Sequence, residues 1–167
     1  YIVLDEWKSN KVFIEKELDL LLQMYDVTII TNDIVTEQID ALRFLTYKRP
    51  TGGHLIAQLM GGILSFLLDK TAWDELFHMK HSSLSFSKVS EIIRFYINAH
   101  FFYKFLCDKD LLLKEDNTIF YFYWNFWKCF AVTNHRNRYP SIKIISRIHG
   151  YDLYNGQIPS GYQPFKR

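Results

Sequence analysis

Short apolar runs alternate with longer amphipathic segments along this chain. Four of the apolar runs are rich in β-branched or aromatic residues and stop at polar residues, which predicts four buried strands. They cover residues 1–4, 26–31, 118–124 and 141–146. Between the first two, residues 12–24 repeat leucine and isoleucine at helical spacing and predict a helix. A strand, a helix and a strand in so few residues make a βαβ unit, whose strands are parallel.

The remaining segments are interpreted from their turn residues and apolar faces. Residues 7–10 predict a polar turn, and residues 35–47 could be helical before a break at Pro50. Residues 54–68 predict a buried helix, because this interrupted apolar stretch is shorter than the ~20 residues that a spanning helix needs. Further helices are predicted at residues 87–106, with Ser87 as a possible cap, and at residues 125–138.

Helices that alternate with buried strands predict an α/β fold with a mostly parallel, Rossmann-like sheet flanked by helices. The chain has 167 residues, which fits one such domain over residues 1–167. The formal charge of +2 argues against a nucleic-acid partner, whose binders usually carry a large clustered basic excess. Cys107 and Cys129 lack metal-ligand spacing, so we expect reduced thiols and no metal or cofactor. The start shows no signal peptide, and a cytoplasmic location is expected.

Polar residues follow the predicted strands, where open α/β sheets bind their ligands. They are Asp5, Glu6, Asn32, Asp33, Trp124, Asn125, Arg147 and His149. The last predicted strand is followed by the densest group of such residues, from Arg147 to Asp152. His149 offers a base near neutral pH, and Gly150 allows close backbone approach to a ligand. Arg147 suits a phosphate or carboxylate, and Asp152 could orient the imidazole or bind a hydroxyl. The same spacing also fits a plain turn, with Arg147 paired to Asp152.

Other polar groups have simpler interpretations. Residues 51–54 (T-G-G-H) lack a phosphate-binding glycine pattern and predict a turn. Asp108 and Asp110 form a D-x-D triplet after a helix, where a solvated turn is favoured over a metal site. Acidic residues of the first helix predict a solvated face; they are Glu15, Glu17 and Asp19.

Two segments resemble a known family. Residues 13–31 (F-I-E-K-E-L-D-L-L-L-Q-M-Y-D-V-T-I-I-T) look like the first helix and second strand of GT-B type glycosyltransferases. Residues 144–154 (I-I-S-R-I-H-G-Y-D-L-Y) are similar to the R-x-H-G-x-D-x-Y motif of bacterial family-four members, which are retaining enzymes of capsule, exopolysaccharide or O-antigen synthesis. Residues 161–167 resemble the segment that leads towards the second domain of such enzymes.

The resemblance implies one half of a two-domain enzyme. The amino-terminal domain of such an enzyme mainly binds a glycan or lipid-linked acceptor, and the carboxy-terminal domain mainly holds the nucleotide-sugar donor. His149 then matches the active-site histidine near the transferred sugar, with Arg147, Gly150 and Asp152 as substrate-binding motif neighbours. The chain departs from the family in two ways: residues 7–10 lack the glycine that often lies against the donor diphosphate, and no Glu-x7-Glu pair occurs. The expectation is that a separate donor domain completes the site, and that the isolated domain is inactive.

A different class of function is kept as an alternative. The aromatic helix at residues 89–106, with Arg94 and Lys104, could make a peripheral contact with the inner face of the cell membrane or with a protein partner, as a non-catalytic module. The competing interpretation is a core helix, which the breadth of its apolar face favours.

Overall fold

A computed structural model of the chain describes residues 1–80, 85–113, 117–124 and 126–147. Within these ranges the strands are β1 (Ile2–Val3), β2 (Thr28–Thr31), β3 (Arg43–Thr46), β4 (Ile119–Phe122) and β5 (Lys143–Ser146). The helices are α1 (Trp7–Leu22), α2 (Gly52–Leu68), α3 (Lys70–Lys80), α4 (Phe86–Asp108) and α5 (Trp127–Thr133), followed by a 3₁₀ turn at Arg136–Arg138.

The five described strands form a single all-parallel sheet in the order β3-β2-β1-β4-β5. The chain extends the sheet from β1 to β3 in one direction, then adds β4 and β5 on the other side of β1. The strand order therefore reverses between β1 and β4, which makes that position a topological switch point. The predicted α/β class with a Rossmann-like parallel sheet is confirmed.

Both faces of the sheet are covered by helices. One face packs against α1 in a cluster formed by Ile2, Leu4, Trp7, Ile14, Leu18, Val27, Ile29 and Tyr123. The other face packs against α4 and α5 in a larger cluster that includes Val3, Ile30, Phe102, Phe120, Phe122, Trp127, Val132 and Ile142. Successive strand residues thus point into opposite apolar layers, which explains why the strands read as continuous apolar runs instead of alternating ones.

Several predicted boundaries were wrong. Residues 7–10 are the first turns of α1, where Asn10 Nδ2 donates a hydrogen bond of 2.6 Å to the Glu6 carbonyl. Residues 35–47 hold no helix. Instead, Arg43–Thr46 pairs with β2 as an edge strand, and this pairing overrides the weak helical pattern. The helix predicted at residues 125–138 is the shorter α5, and α4 is capped by Ser85, whose hydroxyl accepts from Lys88 N at 3.3 Å.

Helix α2 also differs from its prediction, because it is not a buried helix. Only Gly62 and Phe66 are buried, while most of its large apolar residues face outward. Its inner face approaches α4 through two glycines. A Cβ on Gly61 would lie 3.2 Å from His100 Nε2, which is a tight contact, and one on Gly62 would lie 3.4 Å from Ile97 Cγ1, so α2 and α4 pack closely at these glycines.

Within the described ranges, no single helix has the length and apolarity to cross a membrane. Helices α2 and α3 satisfy that criterion only when they are taken together, as a pair bent by 67°.

Candidate functional site

A shallow, open cleft lies at the switch point, beyond the carboxyl ends of β1 and β4, and its volume of about 220 Å³ includes open solvent. Its lining combines apolar strand ends, three aromatic residues that follow β4, and one ion pair. The residues are Val3, Leu4, Asp5, Phe122, Trp124, Phe126, Trp127 and Lys128. Open α/β sheets bind ligands at this position, so the cleft is the best candidate site on the described surface.

Lys128 fixes one wall of the cleft. Its Nζ donates to the Leu4 carbonyl at 2.8 Å and to Asn32 Oδ1 at 3.1 Å, and it lies 2.8 Å from Asp5 Oδ1. One ammonium group therefore joins the ends of β1 and β2 to α5. The side chain of Lys128 is 6% exposed, whereas that of Asp5 is 45% exposed. The carboxylate is thus the part of the pair that solvent or a ligand can reach.

The surroundings of Lys128 are otherwise aromatic. Its Nζ lies 5.4 to 5.8 Å from the ring centroids of Trp127, Tyr47 and Phe102, within reach of cation–π attraction. Burial lowers the pKa of Lys128, and the neighbouring Asp5 carboxylate opposes that shift. Sequence reasoning missed this residue. The available signal was a lone lysine inside the apolar segment F-W-K-C-F-A-V, because buried lysines are rare unless paired.

The amino end of α1 is already occupied by a side chain. Asp33 follows β2, and its Oδ2 accepts hydrogen bonds from Trp7 N at 2.7 Å and Lys8 N at 3.3 Å. A carboxylate at this position also complements the helix dipole. The free N–H groups that commonly bind phosphate at such a helix start are therefore partly satisfied within the chain.

Two buried hydroxyls at the same edge of the sheet lack a hydrogen-bond partner among the described residues. Tyr47 Oη follows β3, and Ser146 Oγ ends β5. Buried polar atoms normally find a partner in protein, water or ligand. Burial also raises the pKa of Tyr47 to about 12, so its hydroxyl remains a neutral donor at physiological pH.

Arg147 lies where β5 reaches the carboxyl edge. Its backbone N donates to the Phe122 carbonyl at 2.9 Å, and Phe122 lines the cleft. Its guanidinium turns towards α1, where Nη1 donates to Glu17 Oε1 at 2.6 Å and the group sits 5.2 Å from the Tyr123 ring centroid. Tyr121 donates to the other Glu17 oxygen at 2.9 Å. Glu17 is therefore an anchor for the β5 end, and not simply part of a solvated helix face.

The other predicted site residues, His149, Gly150 and Asp152, lie outside the described residues, as does Asn125. Their assignment stays a prediction. The D-x-D triplet lies elsewhere: α4 ends at Asp108 and leads into the start of β4, so Asp108 and Asp110 belong to the opposite edge of the sheet from the cleft. Over the described ranges, no cluster of three or more His, Cys, Asp or Glu side chains could hold a metal ion.

A second polar cluster lies between α2, α4 and α5, around an open space of about 240 Å³. Ser65 Oγ lies 3.4 Å from His100 Nδ1, Asn134 Nδ2 donates to Asp69 Oδ2 at 2.7 Å, and the ring of His135 stacks on Tyr103 at 3.7 Å. Burial, with a smaller contribution from the positive charge of Arg138, lowers the pKa of His135 to about 4. His135 is thus a neutral packing residue at neutral pH.

Because folded His135 resists protonation, we expect the protein to become less stable in mild acid. An unfolded histidine takes up a proton below about pH 6.5, whereas folded His135 does so only near pH 4. Between these values the unfolded state binds more protons, so stability falls as the pH falls. We expect His135 to contribute about 1 kcal/mol of this loss between about pH 7 and about pH 5, after allowance for solvent screening of a half-buried ring.

Urea unfolding at the two pH values would measure this contribution. His135→Gln should flatten the pH dependence by about that amount, and the exposed control His54→Gln should leave it unchanged. An identical pH dependence in the wild type and His135→Gln would contradict a buried neutral His135.

No protein-family model matches this sequence, and comparisons with curated proteins and with solved structures also gave no match. The fold defines an α/β protein with a Rossmann-like parallel sheet, and its chemistry has to be inferred from the residues of the chain.

Proposed function

We propose that this chain is the acceptor-side domain of a retaining glycosyltransferase, which moves a sugar from a nucleotide-sugar donor to a glycan or lipid-linked acceptor in polysaccharide synthesis. The proposal joins the family resemblance of residues 13–31 and 144–154 to the geometry of the sheet. On this view a second domain carries most of the donor contacts and faces the carboxyl edge of this sheet.

The observation that carries the proposal is that Arg147, the first residue of the segment that resembles the R-x-H-G-x-D-x-Y motif, ends a strand that pairs with β4 next to the cleft. Its first residue, Arg147, is tied by its backbone N to Phe122, which lines the cleft. His149 follows two residues later in the chain. On this proposal, the histidine would contact a substrate bound at the carboxyl edge of the sheet, where open α/β sheets bind their ligands.

The described contacts suggest separate roles for the cleft residues. Lys128 has a structural role in the wall of the cleft, because its ammonium contacts three partners and its side chain is barely exposed. Asp5 offers a carboxylate oxygen that can accept from an acceptor hydroxyl, and Trp124 and Phe126 offer apolar surface for the faces of a sugar ring. Since Glu17 holds the Arg147 guanidinium, Arg147 would set the geometry of the motif, while Gly150 and Asp152 would contact substrate.

The capped start of α1 is consistent with a donor diphosphate that is bound mainly by the second domain. Asp33 satisfies the N–H groups that would otherwise attract a donor diphosphate. Transfer breaks the bond between the anomeric carbon and the diphosphate oxygen and forms a bond from that carbon to the acceptor oxygen, whose hydroxyl proton passes to the departing diphosphate. The negative charge of the leaving nucleoside diphosphate would then be stabilised chiefly from the facing domain, so that one domain alone would not complete the site.

A comparison of the isolated chain with the complete natural polypeptide tests the proposal. Nucleoside diphosphate release from a panel of nucleotide sugars, in the presence of a lipid and glycan acceptor mixture, is the readout. We expect release by the complete polypeptide and at least about a hundredfold less by the isolated domain, because positioning of the donor is lost. Robust turnover by the isolated 167-residue chain would contradict the two-domain proposal.

The alternative of a non-catalytic module relied on α4 as an exposed docking helix, and the structure does not leave α4 exposed. Helix α4 is a core element whose buried residues are Ile92, Phe95, Tyr96, Ala99, Phe101, Phe102 and Leu106. An aromatic face that is packed inside the domain is not available for docking on a membrane or a partner.

A further inference from the structure

Helix α2 presents its apolar stripe to the outside. Ile56, Met60, Leu64 and Leu68 are 66%, 63%, 57% and 77% exposed, and Ile63 and Leu67 lie beside them. These positions follow the spacing of one helical face. The inward side of the helix is apolar as well, since Leu55 and Leu59 pack against the core and Phe66 is buried, with Ser65 beside His100. Helix α2 is therefore apolar both where it packs on the domain and where it is exposed.

The outward stripe continues past the bend into α3. Trp73 and Phe77 are exposed there, and Trp73 Nε1 donates to the Leu67 carbonyl at 2.8 Å. The indole N–H is thus satisfied within the chain while the ring stays at the surface. An apolar surface of this continuity on a folded domain usually marks an interaction site.

We propose that this surface, formed by the exposed residues of α2 and by Trp73 and Phe77 of α3, docks the protein on an anionic lipid bilayer. The chemistry of the stripe favours a bilayer over a protein partner. Its exposed side chains on α2 carry no hydrogen-bonding group, whereas a protein interface carries about one hydrogen bond per 100–200 Å². They are Ile56, Met60, Ile63, Leu64, Leu67 and Leu68. The hydrocarbon of a bilayer forms no hydrogen bonds with the side chains that enter it. Aliphatic and aromatic side chains on one helical face are typical of helices that lie in the interface of a membrane.

The exposed charges around the surface are mainly positive. Lys48 and Arg49 precede α2 and Lys70 follows it, against the exposed carboxylate of Asp74 on α3. The carboxylate between α2 and α3 is drawn into the domain instead: Asp69 accepts from Tyr96 Oη and from Asn134 Nδ2. Basic residues near a membrane surface gain attraction to anionic lipids, in addition to the burial of apolar side chains.

This inference does not rest on glycosyl transfer, and it replaces α4 with α2 and α3 as the surface for membrane contact. Because the donor and acceptor of the proposed reaction are not needed for binding, the two proposals can fail separately. A protein that binds vesicles without sugar transfer would refute only the proposed function.

Vesicle flotation of the complete polypeptide tests the docking surface. Vesicles of mixed phosphatidylcholine and phosphatidylglycerol should bind the wild type more tightly than vesicles of phosphatidylcholine alone, and high salt should weaken binding. The double substitution Met60→Gln with Leu64→Gln should weaken binding about tenfold or more, since two exposed apolar side chains no longer enter the lipid.

The matched control removes two exposed apolar side chains from another helix. Val12 and Phe13 of α1 are 74% and 65% exposed, so Val12→Gln with Phe13→Gln should bind as the wild type does. Equal binding by the α2 variant and the wild type, or no vesicle binding by the wild type, would overturn the proposal. A concentration-dependent dimer that only the α2 substitutions dissociate, without vesicle binding, would overturn it in favour of a second copy.

Discussion

The substitution Lys128→Met is expected to lower the free energy of unfolding by about 2–3 kcal/mol. Methionine keeps most of the apolar stem, so the loss would come from the ammonium group. The Leu4 carbonyl and Asn32 Oδ1 would each lose a donor, and the nearby Asp5 carboxylate would lose its counter-charge. Because Asp5 is partly exposed, water can replace part of that interaction, which keeps the cost below that of a fully buried pair.

Urea unfolding monitored by circular dichroism would measure this change. Lys143→Met is the matched control, because Lys143 is exposed on β5 and its loss should cost within about 0.5 kcal/mol. A combined Lys128→Met and Asp5→Asn variant should cost less than the sum of the single changes, since the orphaned charge is then removed. Equal stability of Lys128→Met and Lys143→Met would show that Lys128 does not join the strand ends.

The substitution His149→Ala in the complete polypeptide is expected to reduce sugar transfer by at least about a hundredfold, with kcat affected more than KM. On the proposed function, the imidazole contacts the reacting sugar, so its loss removes an interaction made in the transition state. The unfolding midpoint should stay close to that of the wild type.

The exposed histidine at the start of α2 supplies the control. His54→Ala should leave the transfer rate unchanged, since His54 belongs to neither the motif nor the cleft. Transfer at the wild-type rate by His149→Ala would remove His149 from the mechanism. A large fall in stability with an unchanged rate per folded molecule would assign His149 a purely structural role.

The sheet was predictable because each central strand is apolar on both faces. Phe120 and Phe122 enter one core layer while Tyr121 meets the other, and the run between turn residues is too short for a helix. β3 was not predicted, because R-F-L-T is partly exposed at the sheet edge and gains its structure from pairing with β2. Tertiary pairing of this kind leaves little trace in a local pattern.

The site was predictable only as an edge of the sheet. Strand ends located Asp5, Asn32 and Arg147, since parallel strands end on one side. The sequence could not show that Lys128 contacts Asp5 and Asn32, because these residues are 123 and 96 positions away from it along the chain. Composition likewise located the apolar segment of α2 but not which of its residues stay exposed, because exposure depends on which side of the helix meets α4.

The central claim is that the complete polypeptide transfers sugar at the edge where the R-x-H-G-x-D-x-Y motif begins. The most direct measurement is the incorporation of labelled sugar from a panel of nucleotide sugars into lipid-extractable or polymeric glycan by the purified complete polypeptide. The account predicts incorporation from at least one donor and its loss in His149→Ala. No incorporation from any donor, or equal incorporation by the wild type and His149→Ala, would contradict it.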